Sequence, residues 1–442
     1  MAEDDTEHPP TATPPTKNPP NDPPTNRPPG DAPPPDDPPG GTGRPRRRRR
    51  WLMITAGVVA FLLVAGGVLL WIAYRKLDGN IRTDSTTDRL LAELEAERPS
   101  RTAGARGAEN ILLIGSDDRS GANGSYGGEA GTQRSDTTIL LHLSADRNHA
   151  TAVSVPRDVM VSVPACEKPD GTRSKPGLMQ FNWAFETGGP ACSIRTVEQL
   201  SGIRIDHYVI LDFSGFKTMV DAIGGVEVCV PQPIHDKDAK LDLPAGRQTL
   251  HGEQALGYVR ARESLGDGSD TQRMGRQQQF LAALIRKVES QGVLLNPARL
   301  WPVLDAATSS VRADGGLSSL GALYDLTQDL RGIPTSDVVF LTAPRRPYRY
   351  DSDRDEFVQP QTTQLFTALR DDRPVAVRPP GSTPSPSAGP AAGQGSDPSP
   401  GADSAEAAMA TATATKATAS PSAGASPTFE GRTADVDACA QH

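Results

Sequence analysis

Apolar and polar positions divide the chain into stretches of very different character. The first 43 residues show no apolar periodicity. Fifteen prolines in PP or PPP clusters, from Pro9-Pro10 to Pro38-Pro39, stand among eight acids and two bases. Such a stretch cannot build a core, and residues 1–50 are expected to be a disordered Pro-rich tail with a basic stop. Trp51–Ala73 is its opposite: WLMITAGVVAFLLVAGGVLLWIA, 23 residues without a charge. A helix of about 20 residues spans the bilayer hydrocarbon. Trp51, Trp71 and Tyr74 stand where interfacial aromatics gather. The pattern predicts one transmembrane helix over 51–74. A cleaved signal peptide fits poorly, because fifty residues precede the run and no A-x-A site follows. Residues 75–105 read as a short stalk, helical around Arg89–Glu97.

Residues 106–370 alternate as a folded domain does. Six short apolar runs predict buried strands: Ile111–Ile114, Thr138–Leu143, Thr151–Val155, Tyr208–Leu211, Val226–Val230 and Val338–Leu341. Helices are expected between them. One is Ile194–Leu200, with Ser193 as its N-cap. Another is Phe213–Ile223, stopped by Gly224-Gly225. The longest runs over Asp270–Ser290, where Leu281, Leu284, Ile285 and Val288 recur at i, i+3, i+4 and i+7. Strands alternating with helices predict a layered α/β domain. Residues 371–442 return to Pro, Ala, Ser and Thr and predict a second disordered extension. No further folded domain is expected after residue 370.

Charge then fixes orientation. Six arginines lie in residues 44–50, against Arg75, Lys76 and Arg82 beyond the helix. The positive-inside rule places the N-terminus in the cytoplasm and the domain outside. Outside the cell disulfides persist. Cys166, Cys192 and Cys229 lie in the domain, so one pair among them is expected, with Cys439 in the tail. No cysteine pair forms C-x-x-C and none sits at zinc-ligand spacing to a histidine, so a zinc site is not expected. The formal net charge of −8 argues against a nucleic-acid binder.

No P-loop, H-E-x-x-H or G-x-S-x-G is present. His207, beside Tyr208 at a strand start, reads as structural. The notable pattern is arginine with aspartate at strand ends. NILLIGSDDR places Asp117, Asp118 and Arg119 past one strand. RSDTTILL places Arg134 and Asp136 before another, and VSVPRD places Arg157 and Asp158 past a third. YVRAR supplies Arg260 and Arg262, and DTQRMGRQQ supplies Asp270, Arg273, Arg276 and Gln277. A single surface Arg–Asp pair is worth about 0–1 kcal/mol and signals nothing. Five such clusters differ, because ligand sites of open α/β sheets gather at strand ends. Arg273, Arg276 and Gln277 share one helix face. Converging guanidiniums need an anion, and phosphate suits them. Aspartates among them need a cation, and Mg²⁺ binds one or two carboxylates together with phosphate oxygens. The residues alone therefore predict a divalent metal and a phosphate or pyrophosphate.

In their order, NILLIGSDDR, RSDTTILL, SVPRD, FNWAFETGGP, GIRIDHYVILDFSGF, VDAIGGVEVCV, GEQALGYVRAR and DTQRMGRQQ resemble the LytR-CpsA-Psr family over roughly residues 108–290. The resemblance implies a mixed sheet between helices, with an apolar tunnel for a lipid. It implies a membrane-anchored cell-wall transferase that moves a glycopolymer from a polyprenyl-pyrophosphate carrier to peptidoglycan. The acceptor it implies is the 6-hydroxyl of N-acetylmuramic acid, and the product a phosphodiester. Carried over, Asp117 and Asp136 are the carboxylates for Mg²⁺ or Mn²⁺. Arg134, Arg157, Arg260, Arg262, Arg273 and Arg276, with Gln277, form the pyrophosphate clamp. Asp158 orients Arg157. Arg157, Asp136, Arg134, Arg273 and Arg276 carry the catalysis. The Gly-rich loop GANGSYGGEAGT departs from the family in length. Two other readings use the same site: hydrolysis of a lipid-linked pyrophosphate, and binding of such lipids without turnover. A transcriptional regulator fits badly, since no basic recognition helix is present.

Overall fold

The structure, a computed structural model, describes residues 45–117, 134–262, 270–290, 297–379, 382, 427–437 and 439. Asp118, Arg119 and the Gly-rich loop lie outside them. The chain divides into two units, residues 1–66 and 67–442. The described part of the first is the opening of helix α1 (Pro45–Asn80). Arg48–Asn80 is long and apolar enough to cross a membrane. From Trp51 to Val64 its side chains are exposed, with Leu63 at 71%, whereas Leu77 is buried at 3%.

The second unit is built on a sheet of nine strands. They are β1 (Arg82–Thr83), β2 (Glu109–Ser116), β3 (Ser135–Leu143), β4 (Ala150–Val155) and β5 (His207–Asp212). β6 (Val311–Ala313), β7 (Val338–Thr342), β8 (Ala376–Arg378) and β9 (Thr428–Thr433) complete it. The spatial order is β1-β6-β5-β2-β3-β4-β7-β9-β8. β2–β3–β4 is an antiparallel meander. β5 joins β2 in parallel, and β7 joins β4 in parallel. The sheet is therefore mixed.

Successive strand residues point to opposite faces, and the sequence fills both faces with apolar groups. Leu112, Ile114, Leu140, Val153 and Leu341 enter one core, and Ile111, Ile139, Ala152 and Phe340 enter the other. Helices α3 (Asn182–Ser201) and α9 (Gln361–Arg370) cover the first face through Ile194, Val197, Leu365 and Leu369. Helix α6 (Asp270–Ser290) covers the other through Leu281, Ala282 and Ile285. α6 also sends Phe280 and Ala283 into a third core. That core is built by α4 (Phe213–Ala222), α5 (Gly252–Arg260) and short hairpins outside the main sheet. A sheet between two helical layers is the expected architecture.

Five of the six apolar runs expected as strands lie in the main sheet. The sixth, Val226–Val230, pairs instead with Gly246–Leu250 in a separate ribbon. Three other expectations need correction. Residues 75–105 are not a detached stalk. β1 pairs with β6, Leu91 is in the first core, and Asp78 accepts the Leu320 amide at 2.9 Å. Few apolar residues anchor this stretch, so its composition resembles a linker. Ser193 caps nothing; it is buried inside α3. The break lies earlier, at Gly188 and at Gly189, whose φ is 61°. Pro190 opens the second helical part, the first-turn position where its missing N–H costs nothing.

The third correction concerns the C-terminal stretch. Its last residues return as β9, inserted between β7 and β8. Phe429 enters the first core. A Cβ at Gly431 would strike the carbonyl of Phe340, so only glycine lets the strand lie there. Cys439 closes a disulfide with Cys229, and Cys166 pairs with Cys192. Arg286 of α6 donates to the carbonyl of Val436 at 3.1 Å, and Arg247 pairs with Asp437 at 2.6 Å.

Candidate functional site

The meander brings three of the aspartate–arginine clusters to one end of the sheet. β2 ends where β3 begins, and β4 ends beside Thr138 of β3. Their register breaks between Gly115 and Ser116, and the Asp117 amide donates to the Arg134 carbonyl at 2.9 Å. β5 ends alongside, with Asp212 opposite Ser116. α6 crosses this end with its N-terminal half. A cavity of about 1160 Å³ opens there.

The cavity has two chemistries. One part of its lining is charged: Asp117, Arg134, Asp136, Arg157, Asp158 and Arg273. Another part is apolar: Phe213, Phe216, Met219, Leu256, Phe280 and Leu281. Arg157 stands between two carboxylates. Its Nη1 donates to Asp136 at 2.6 Å and its Nε to Asp158 at 3.2 Å. Gln180 holds the other oxygen of Asp158 at 3.4 Å. Arg273, only 5% exposed, donates to the Asp136 carbonyl at 3.3 Å. Arg134 reaches outward to Glu186 at 2.9 Å. Burial alone would push the Asp136 carboxyl up. The charges of Arg157, Arg273 and Arg260 and the hydrogen bond from Arg157 outweigh it and hold the group below its ordinary value.

α5 ends at Arg260, whose guanidinium lies 4.8 Å from the centre of the Phe213 ring. Arg262 lines the cavity, and its amide donates to Asp236 at 2.6 Å. Gln277 lines it too, joining Thr137 of β3 at 3.1 Å to the Val259 carbonyl at 3.2 Å. Arg276 differs. It is absent from the cavity wall, is 8% exposed, and donates to the Ala261 carbonyl. Burial works against its charge. An i, i+3 spacing leaves about 60° of rotation around the helix, enough to put Arg273 on the cavity wall and Arg276 off it. Its place is to hold the Arg260–Arg262 segment, not to face the cavity.

Other cavity residues escaped the sequence reading. Asp212 caps α4, accepting the Gly215 amide at 2.7 Å. It is legible in hindsight as the Asp of D-F-S-G, an ordinary N-cap pattern. Asp236, 2% exposed, ties together the amides of Ala239 and Arg262. Asn182, 5% exposed, lines the cavity, and its Oδ1 has no hydrogen-bond partner among the described residues. The apolar part of the lining gave no local signal, because its residues come from three separate helices, α4, α5 and α6.

A model of the LytR_cpsA_psr family matches residues 77–371. The chain is 37% identical over 268 residues to a probable cell wall biosynthesis protein, LcpB of Corynebacterium glutamicum, covering 59% of this chain and 58% of that one. It is 30% identical over 253 residues to TagT of Bacillus subtilis, covering 56% and 73%. TagT is named a polyisoprenyl-teichoic acid–peptidoglycan teichoic acid transferase. The solved structure of B. subtilis TagV aligns at 26% identity and a TM-score of 0.47, over 60% of this chain and 97% of that one. The chain spans about half the length of the first curated relatives it matches.

Proposed function

The chain belongs to the LytR_cpsA_psr family, and from that premise we propose that its cavity transfers a glycopolymer from a polyprenyl-pyrophosphate carrier to peptidoglycan. One observation carries the reading: guanidiniums, carboxylates and a set of apolar side chains line one cavity of about 1160 Å³. A polyprenyl pyrophosphate has the same two halves. Its isoprenoid would fill the space among Phe213, Phe216 and Phe280, and its pyrophosphate would meet Arg157, Arg260 and Arg273. The name of TagT, a polyisoprenyl-teichoic acid–peptidoglycan teichoic acid transferase, supports the same class of substrate. On this reading α1 is a single membrane anchor, with the N-terminus cytoplasmic and the domain outside.

The metal follows from charge. Among the described residues, five arginines and six aspartates line the cavity. A dianionic pyrophosphate would meet no positive balance there unless a divalent cation joined it. Asp117 and Asp136 are hard oxygen donors on adjacent strand ends, and they suit Mg²⁺ or Mn²⁺. When bound, the ion would neutralise phosphate oxygens and align them for in-line attack. The chain's own groups do the rest. Asp158 and Asp136 hold the Arg157 fork in one orientation. The acceptor, the 6-hydroxyl of N-acetylmuramic acid, attacks the sugar-side phosphorus. The bond from that phosphorus to the bridging oxygen breaks, polyprenyl phosphate leaves, and a phosphodiester forms. Charge grows on the bridging oxygen, and the oriented guanidiniums of Arg157, Arg260 and Arg273 would stabilise it without reorganising. Asp136 is a poor base for the hydroxyl proton, because the arginines that lower its pKa weaken it.

The test is a reaction of the full chain in detergent with Mg²⁺, a polyprenyl-pyrophosphate sugar and a peptidoglycan oligomer, read by mass spectrometry. A phosphodiester-linked adduct that Arg157→Ala abolishes is the expected result. Lipid monophosphate with free sugar phosphate and no adduct would make the protein a hydrolase. Donor that binds and stays intact would make it a binder.

A further inference from the structure

The opposite end of the same strands carries a second cluster. His142 lies six residues along β3 from Asp136, about 20 Å away at strand rise. His149 stands just before β4, and Asp372 just after α9. One ring nitrogen of each histidine and one carboxylate oxygen of Asp372 lie within 4.8 Å of one another. Nothing in the proposed transfer uses them.

We propose that His142, His149 and Asp372 form a Zn²⁺ site that clips the β3–β4 turn to the end of α9. His142 is 1% exposed and joins Asn110 Oδ1 through Nδ1 at 2.8 Å. That bond makes Nδ1 the donor and turns a lone pair at Nε2 toward Asp372 Oδ1, 3.0 Å away. Two acceptors at that distance need a cation between them. A proton would serve two atoms; a metal gathers three or four, and here a third ligand is at hand. His149 Nε2 is sealed from solvent with no hydrogen-bond partner among the described residues. An imidazole whose second nitrogen is held by a carbonyl oxygen is the usual supporting arrangement of a metal ligand.

The rest of the surroundings is consistent with a built site. Asp372 adopts a left-handed φ of 53°, a conformation that persists in a non-glycine residue where contacts over-determine it. Its second oxygen accepts the Ala145 amide at 3.1 Å, so the carboxylate is fixed at both ends. Two imidazoles and one carboxylate, with water as a fourth ligand, are a zinc set. The cysteine spacing argued against zinc; this site contains no cysteine.

The experiment uses the full chain in detergent, without a polyhistidine tag, stripped by chelator and titrated with Zn²⁺. Expected are one tightly bound ion, a Zn²⁺-dependent rise in melting temperature, and X-ray absorption showing two imidazoles. Asp136→Asn should retain this ion, which separates it from any cation in the cavity. His149→Ala and Asp372→Asn should each weaken binding by more than about 100-fold, and Asn110→Ala by about 10-fold. His149 and Asp372 are partly exposed, and circular dichroism checks that both variants fold. Zn²⁺ affinity unchanged in either variant would overturn the site. So would a wild-type melting temperature that Zn²⁺ does not move, which needs no variant and would leave an imidazolium–carboxylate pair.

Discussion

The two ends of the central sheet carry similar residues and use them differently. At the far end three such pairs tie the fold together. Arg98 pairs with Glu198 at 2.7 Å, Arg147 with Asp329 at 2.8 Å, and His207 with Asp314 at 3.0 Å. These groups join elements distant in sequence. At the near end Arg157, Arg260 and Arg273 are held in orientation while lining about 1160 Å³ of space. The difference teaches that an arginine–aspartate cluster is not informative by composition. What matters is whether its elements close on each other or stay apart.

The largest effect should come from Arg157→Ala. A guanidinium that stabilises charge in phosphoryl transfer is worth about 10³-fold or more. Turnover should fall by that much in the mass-spectrometric assay, while the melting temperature stays close to wild type. A loss of fold instead would make Arg157 a frame residue like those of the far end, and the contrast would collapse.

Cys439→Ser comes next. The disulfide to Cys229 ties the returning strand to the ribbon beneath α6. Its loss should cost about 2–4 kcal/mol in a denaturant melt. Activity per folded molecule should persist, because no cavity residue lies on β9.

Most of the fold was legible because it is periodic. Ile111–Ile114 and Thr138–Leu143 are dense apolar runs, and a strand buried on both faces must read that way. The parts that were missed have weak local signals. β9 reads TFEGRT, six residues with one large apolar group, set in low-complexity sequence. Only its pairing on β7 and Cys439 reveal it. Of the candidate site, the strand-end clusters could be read from spacing. Arg276 could not be told from Arg273, since both lie on one broad face of α6. Asp236 and Asn182 were invisible for another reason. Their roles depend on which loop packs against them, a tertiary fact.

Arg276→Ala sharpens the contrast within the near end itself. Its guanidinium donates to the Ala261 carbonyl from a buried position, with Nε lacking a partner among the described residues. Removing it leaves that carbonyl unsatisfied, worth about 1–3 kcal/mol of stability. The Arg260–Arg262 segment should shift, raising KM for the lipid donor more than it lowers kcat. Arg273→Ala should do the reverse, with kcat falling about 100-fold. Equal effects on kcat would put Arg276 back among the groups that touch substrate.

The smallest effect is a titration at the far end. His207 is raised above its ordinary pKa by its hydrogen bond to Asp314, against the pull of burial. Glu109 and Asp206 add to the rise. A raised histidine contributes stability in full below its unfolded pKa, about 6.5. That contribution is lost as pH climbs through the folded value. Burial would raise Asp314, but the bonds from His207, Tyr208 and Gly316 lower it. A lowered aspartate contributes above its unfolded value near 3.9, and loses that only as pH falls through the folded one. The pair should therefore stabilise most between about pH 4 and 6.5. His149 works the other way in the upper part of that window, because its neutral form is favoured in the fold. The informative quantity is thus the difference between wild type and Asp314→Asn in denaturant melts at several pH values. That difference should be greatest near pH 5 and shrink toward pH 8. A difference independent of pH would mean that Asp314 acts only through the backbone amides of Tyr208 and Gly316, and that the far end carries no ion pair on β5.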